Sequence, residues 1–341
     1  MKRKELLIVL EKVYGAASMS DTIPILTHFL ISDGRVAATD LEISVSADCP
    51  DLAGIECLVP AKMFLQAIKQ IPHEEVDIKV DGKELKIQSQ KIKNSLRITE
   101  VSDDFPPTRV DVEKWEKLPE GFGTALIACS ICGIPEQPEF SGVYWGAEGF
   151  ASSDRNRICY YNTAGPSSDP MILSGRLVGF LKSTGFPTDY MVLDNGIVFS
   201  YGEKDIQVFG RKVEATFPDS WNLFPATTPE TIVISKEVKA ALKRVGTFAS
   251  MSGGTKKTGT AVSFGKEGML LNFDGEDKFE EIVDIGTDND WKFTTNPEWM
   301  KDVLAHCDRL AVIEVGKRKV VYLEGYCGMF KVLLPTKSEE S

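Results

Sequence analysis

Apolar residues recur along this chain at two spacings, and the alternation between the spacings itself recurs. Leu6, Leu10 and Val13 stand on one face of a helix near the N-terminus, and Phe64, Leu65 and Ile68 do the same further on. Between such stretches run short β-rich segments bounded by turn residues. An extended run leading into a short amphipathic helix begins at Leu58, again at Ile172 and again at Lys292, with Pro60, Ser174 and Thr294 at matching offsets. A strand hairpin follows each time, with turns at Asp81-Gly82, Asn195-Gly196 and Gly316. A third phrase carries an aspartate, Asp40, then Asp154 114 residues on, then Asp274 a further 120 residues on.

A period above about one hundred residues matches a self-contained domain and exceeds the 20 to 50 of a solenoid repeat. The pattern therefore predicts an α+β protein made of three tandem copies of a β-rich domain with two helices each. Phe-Pro turns at Phe105-Pro106 and Phe217-Pro218 close the first two copies. The copies are expected at 1–115, 116–228 and 229–336, with a disordered acidic tail at 337–341. No run approaches the roughly 18 apolar residues of a membrane span, and no signal-peptide pattern opens the chain, so a soluble, cytoplasmic protein with no membrane partner is expected.

Seven cysteines, an odd number, read as reduced thiols. Cys129 and Cys132 form a C-x-x-C without a second such pair, inside an apolar helical run, which reads as core packing. Three scattered histidines, His28, His73 and His306, offer neither a metal set nor a catalytic pair. The glycine-rich stretch 252–259 lacks the Lys-Ser/Thr of a nucleotide loop and reads as a surface loop. The repeated aspartates read as turn formers, because Asp bonds its own backbone. No cofactor, metal or enzymatic activity is expected.

Net charge is −11, which disfavours nucleic-acid binding over the whole surface. Local charge differs. Lys236, Lys239 and Lys243 share one face of a helix whose other face holds Val238, Ala241, Leu242 and Val245. Lys62 and Lys69 repeat the seven-residue spacing, and Arg176 and Lys182 flank Leu177, Phe180 and Leu181. These helices could form one cationic surface that contacts phosphates without reading bases. Solvated helix faces are the alternative.

Thr22 to Leu26, Ala38 to Glu42, Asp104-Phe105-Pro106, Phe217-Pro218-Asp219 and Val332 to Pro335 together resemble the landmarks of one family, the bacterial-type sliding clamp, or DNA polymerase III beta subunit, in a divergent form. The resemblance covers essentially the whole chain. It implies a processivity factor: two chains of three domains closing head to tail into a ring around double-stranded DNA, opened by an ATP-driven clamp loader and tethering the replicative DNA polymerase. It also implies a partner-peptide pocket lined by Phe140, Ser153, Arg157, Ile158, Pro218, Leu223, Trp299, Val332 and Leu334, and a dimer joint containing Phe105 and Phe248. The chain departs from the family pattern at Arg155-Asn156, usually Gly-His, at Asn222 and Ser20, where an arginine is common, and from Thr336 onward. Two further readings stand beside it: a clamp-fold regulatory scaffold that binds peptides without encircling DNA, and a hydrolase whose site is built from dispersed carboxylates.

Overall fold

A computed structural model describes residues 1–101, 103–167, 169–202, 206–251, 260–265, 268–274, 278–284, 289 and 291–336. The stretch 252–259, the tail 337–341 and the side chain of Asp274 lie outside the described residues.

The element order repeats three times. The first copy runs α1 (Arg3–Tyr14), β1 (His28–Ser32), β2 (Arg35–Thr39), β3 (Ile43–Asp48), β4 (Cys57–Pro60), α2 (Ala61–Lys69), β5 (Asp77–Asp81), β6 (Glu84–Ser89) and β7 (Ile92–Arg97). The second adds a short leading strand, β8 (Glu116–Lys117), before α3 (Phe122–Cys129), β9 (Gly142–Gly146), β10 (Gly149–Ser153), β11 (Ile158–Asn162), β12 (Met171–Ser174), α4 (Gly175–Thr184), β13 (Asp189–Leu193), β14 (Gly196–Ser200) and β15 (Gln207–Arg211). The third runs β16 (Ile232–Val233), α5 (Lys236–Met251), β17 (Thr260–Gly265), β18 (Gly268–Asp274), β19 (Lys278–Val283), β20 (Lys292–Thr295), α6 (Pro297–Leu304), β21 (Arg309–Val315), β22 (Arg318–Gly325) and β23 (Phe330–Pro335). This is the α+β, two-helix, triplicated organisation that the spacing predicts.

Contacts gather these elements into two compact units that cut across the copies: Met1–Pro119 with Leu173–Val213, and Glu120–Ile172 with Glu214–Ser341. In the first, an antiparallel sheet of order β4-β1-β2-β3-β15-β14-β13-β8 joins the strands of copy one to the later strands of copy two through the β3–β15 pair. The second repeats the arrangement as β12-β9-β10-β11-β23-β22-β21-β16, joined through β11 and β23. Two smaller sheets remain, β5-β6-β7 and β19-β18-β17-β20.

The first helix of each copy lies on that copy's second and third strands: α1 on β2 and β3, α3 on β10 and β11, α5 on β18 and β19. Leu6, Val9, Leu10 and Val13 of α1 are buried there, and each such side chain removed from water stabilises by roughly 1.5–3 kcal/mol. In α3 the same role falls to Phe122, whose ring stands edge-on to the stacked rings of Trp145 and Phe150. Ser174 caps α4, its Oγ accepting from the Leu177 N–H. The matching cap in copy three is Asn296, accepting from Glu298 N–H; Thr294, two residues earlier, still lies in β20.

Asp40 and Asp154 are turn formers, as their chemistry suggests. Asp40 Oδ1 accepts from the N–H groups of Glu42 and Ile43 at 3.0 and 2.8 Å, and Asp154 Oδ1 from those of Asn156 and Arg157 at 3.1 and 2.8 Å. Each turn forces its next residue into the left-handed region, Leu41 at φ 75° and Arg155 at φ 68°, where glycine would carry no Cβ penalty.

Candidate nucleic-acid interface and partner site

In the first unit, Lys62 and Lys69 lie exposed on α2 and Lys182 exposed on α4, while Arg176 is half-buried at the start of α4. Two of these cations meet acids in the first unit. Lys69 Nζ meets Glu11 of α1 at 2.8 Å, and Arg176 Nε donates to Asp40 Oδ2 at 2.7 Å while its Nη2 donates to the carbonyl of Gly15, which ends α1. No acid stands between Lys62 and Lys69 in the sequence, and Glu11 arrives from another helix. In the second unit, Lys236 and Lys243 are exposed along α5 and Lys239 is half-buried.

The nine expected pocket residues all belong to the second unit. Arg157 sits at its centre: Nε donates to Asp154 at 2.7 Å, Nη1 to Asp302 of α6 at 3.0 Å and Nη2 to the Ile131 carbonyl at 2.9 Å. Its guanidinium also lies 5.9 Å from the Trp299 ring. Burial alone would push this guanidinium down, but Cys132, Asp154 and Asp302 around it hold it above the ordinary arginine value. Ser153 Oγ donates to the Arg157 carbonyl and accepts from Arg155 N–H, tightening the same turn.

Ile158 faces the other side of the sheet. With Ala311, Tyr322 and Leu333 it forms an apolar cluster, against which Phe224, Trp291, Ile313 and Val320 pack half-buried. Pairing of Ile158 with Leu333 fixes the parity of β23, so Val332 and Leu334 point to the opposite face and are fully buried. Leu333, which the position-wise resemblance skips, is the β23 side chain on the Ile158 face. A chain of rings continues that region: Phe140 meets Phe217 at 6.3 Å, Phe217 stacks on Tyr144 at 5.0 Å, Tyr144 neighbours Trp221, and Trp221 meets Tyr160 at 4.6 Å. Pro218 and Leu223 project from the same connector and are exposed. Adjacent aromatic pairs, Tyr144-Trp145 on β9 and Tyr160-Tyr161 on β11, are the sequence signal that could have marked this surface.

Phe248 lines a cleft of ≈ 550 Å³ between α5 and β19, with Ala240, Lys243, Arg244, Thr247, Met251 and Phe279. Its ring lies 5.4 Å from that of Phe279, and Met251 is 81% exposed. Phe105, by contrast, is buried within the first unit, in the connector position that Phe217 holds in the second.

Among the described residues, no group of three or more His, Cys, Asp or Glu side chains is arranged to hold a metal ion, and no helix is long and apolar enough to cross a membrane.

Solved structures define the class. Over 99% of this chain and 98% of theirs, the fold matches the DNA polymerase beta subunit of Streptococcus pyogenes (TM-score 0.83, 16% identity), the DNA polymerase sliding clamp of Bacillus subtilis (0.83, 18%) and the DNA polymerase III beta subunit of Thermotoga maritima (0.82, 19%). The chain has the three-domain DNA-clamp fold. Its sequence matches the family described as DNA polymerase III beta subunit, N-terminal domain, over residues 1–118. No curated protein matches it by sequence. The likeness to the bacterial sliding clamp is thus present in the sequence of the first third and in the fold of the whole.

Proposed function

We propose that the chain is a DNA polymerase processivity factor: a non-catalytic clamp whose two copies close head to tail around double-stranded DNA. The observation that carries this reading is the pair of leftover half-sheets. Twice within the chain, the third strand of one copy pairs antiparallel with the last strand of the next, β3 with β15 and β11 with β23. The third strand of copy three, β19, and the last strand of copy one, β7, are the corresponding sheet edges, and among the described residues no strand pairs with the outer side of either. A second copy of the chain supplies the matching edge, and a closed ring leaves none open.

β7 exposes Lys93 and Arg97, and β19 exposes Lys278, Glu280 and Ile282, the last 66% exposed, so Glu280 is the carboxylate that this edge offers to the β7 cations. Helix positions agree as well. Leu177 and Phe180 of α4 are buried, with Phe180 seated on the end of α1; counting from the caps Ser174 and Pro60, their counterparts in α2 are Met63, 58% exposed, and Gln66, also exposed. Met63 then fills the Phe248–Met251 cleft of the other chain. Phe248 belongs to this joint, whereas Phe105 has little free surface to give.

Lys62, Lys182, Lys236, Lys239 and Lys243 contact phosphates, Lys69 and Arg176 less so because carboxylates already hold them. The Ile158–Leu333 face with Pro218, Leu223 and the ring chain takes a short peptide from the replicative polymerase and other partners, with apolar side chains as anchors. An ATP-driven loader opens the ring, and the protein works in the cytoplasm on DNA. Tethering acts by raising the polymerase's effective concentration at the primer end.

The test is topological. After loading onto nicked circular duplex by a bacterial loader, the protein stays bound through gel filtration in high salt and is released when the circle is cut. Retention that ignores the cut, or no retention on circles, contradicts the reading. The neutralised Lys69 and Arg176 favour, as second reading, a scaffold that binds peptides without encircling DNA. Reversal of charge at Lys239 and Lys243 separates the two: a clamp loses DNA retention, and a scaffold keeps all its binding.

A further inference from the structure

The C-x-x-C that the clamp reading leaves unused leads to a second thiol. Cys132 follows α3 in an irregular loop, and its Sγ lies 3.2 Å from Sγ of Cys159 on β11, 27 residues away. A disulfide bond is about 2.05 Å long, so joining the two sulfurs takes roughly 1 Å of movement. Cys159 is fixed in a central strand between β10 and β23, which leaves the loop that bears Cys132 as the part that yields. Exposure separates them too: Cys132 retains 6% and Cys159 none. A small oxidant reaches Cys132 first.

Arg157 is anchored beside both sulfurs, since its Nη2 donates to the carbonyl of Ile131, the residue before Cys132. The thiolate is the nucleophile in thiol chemistry. Burial pushes the Cys159 thiol well up, which suits it to resolve an intermediate and not to start the reaction. Cys129, fully buried at the end of α3, is the other thiol in the group.

We propose that Cys132 and Cys159 are a peroxide-sensitive pair that closes to an intrachain disulfide. The Cys132 thiolate attacks one oxygen of hydrogen peroxide, the O–O bond breaks, and Cys132 sulfenic acid and hydroxide result; the hydroxide takes up the proton the thiol lost. The Cys159 sulfur then attacks the Cys132 sulfur, the S–S bond forms as the S–O bond breaks, and the departing hydroxide leaves as water with the Cys159 proton. Two thiols lose two electrons and one peroxide becomes two waters. In a reducing cytosol such a bond is transient. While it lasts, it staples the loop after α3 to β11 under Arg157, one residue from Ile158 on the partner face.

The experiment uses the full chain with Cys327→Ser, which removes the exposed thiol and leaves six of the seven cysteines. After excess hydrogen peroxide, its removal with catalase and denaturation, thiol titration falls from six to four; in a parallel sample alkylated on denaturation, peptide mass mapping finds Cys132 joined to Cys159, reversed by dithiothreitol. Adding Cys159→Ser abolishes the link and leaves a Cys132 sulfenic acid that dimedone traps; adding Cys129→Ser leaves the link intact. Six thiols after peroxide, or a link joining Cys132 to Cys129, overturns the proposal. The wild-type map decides the matter even if the serine variants fold poorly.

Discussion

Two arginines do the same work in the two units from opposite sides. In the first unit the cation comes from the helix: Arg176 of α4 reaches the turn carboxylate Asp40 and the carbonyl of Gly15, just past α1. In the second it comes from the turn: Arg157 binds its own Asp154, the Ile131 carbonyl beyond α3 and, across to α6, Asp302. Each clasp therefore ties a first helix, an aspartate turn and the second helix of the following copy. The burial differs, with Arg157's side chain 10% exposed and Arg176's 35%. A repeat conserves the geometry of a junction while the charges trade places, and the deeper clasp is the one beside the Ile158–Leu333 face.

That contrast orders the expected effects. Arg157→Met leaves Asp154 short of its cation in a buried site and should lower stability by about 3–5 kcal/mol, read from urea unfolding; Arg157→Lys should recover only part of this, because one ammonium cannot serve three acceptors in that fork. Arg176→Met, at a wetter site, should cost about 1.5–3 kcal/mol. Equal losses at the two sites would erase the distinction drawn from burial.

The alkaline range gives a third, smaller effect, from one tyrosine of the first unit. Burial raises the Tyr201 phenol to about 12, and its hydroxyl donates to the Gly185 carbonyl while Lys12 lies over its ring. A phenol whose folded value lies above the unfolded one, about 10, contributes stability that is intact below pH 10 and declines as pH rises toward 12. Tyr201→Phe should flatten that decline; an unchanged alkaline limb would remove Tyr201 as a contributor. Least of all, Leu41→Gly, which relieves a left-handed φ at a half-exposed position, should raise stability by about 1 kcal/mol, measurable as a shift in the urea midpoint.

The triplication was legible because helix and strand periods survive substitution, and Asp40 and Asp154 were legible as turn residues because their bonds are local. The clasps were not. Asp40 and Arg176 lie 136 residues apart, Arg157 and Asp302 145, and no spacing rule joins them. The Ile158 face shows a second limit: strand periodicity identifies alternation, yet one residue of register decides whether Leu333 or the Val332 and Leu334 pair lies on it. The ion pair of Lys69 escaped the sequence for the same reason, its partner Glu11 being distant in sequence and near in space.

The central claim is that the junction made twice inside the chain is made again between chains, through β7 and β19. Light scattering at micromolar concentration tests it most directly. The account predicts the mass of two chains for the wild type and of one chain for Phe248→Asp, since a charge buried at the joint costs several kcal/mol. A wild type that scatters as a single chain, or a dimer that Phe248→Asp and Met63→Asp both leave intact, would contradict it.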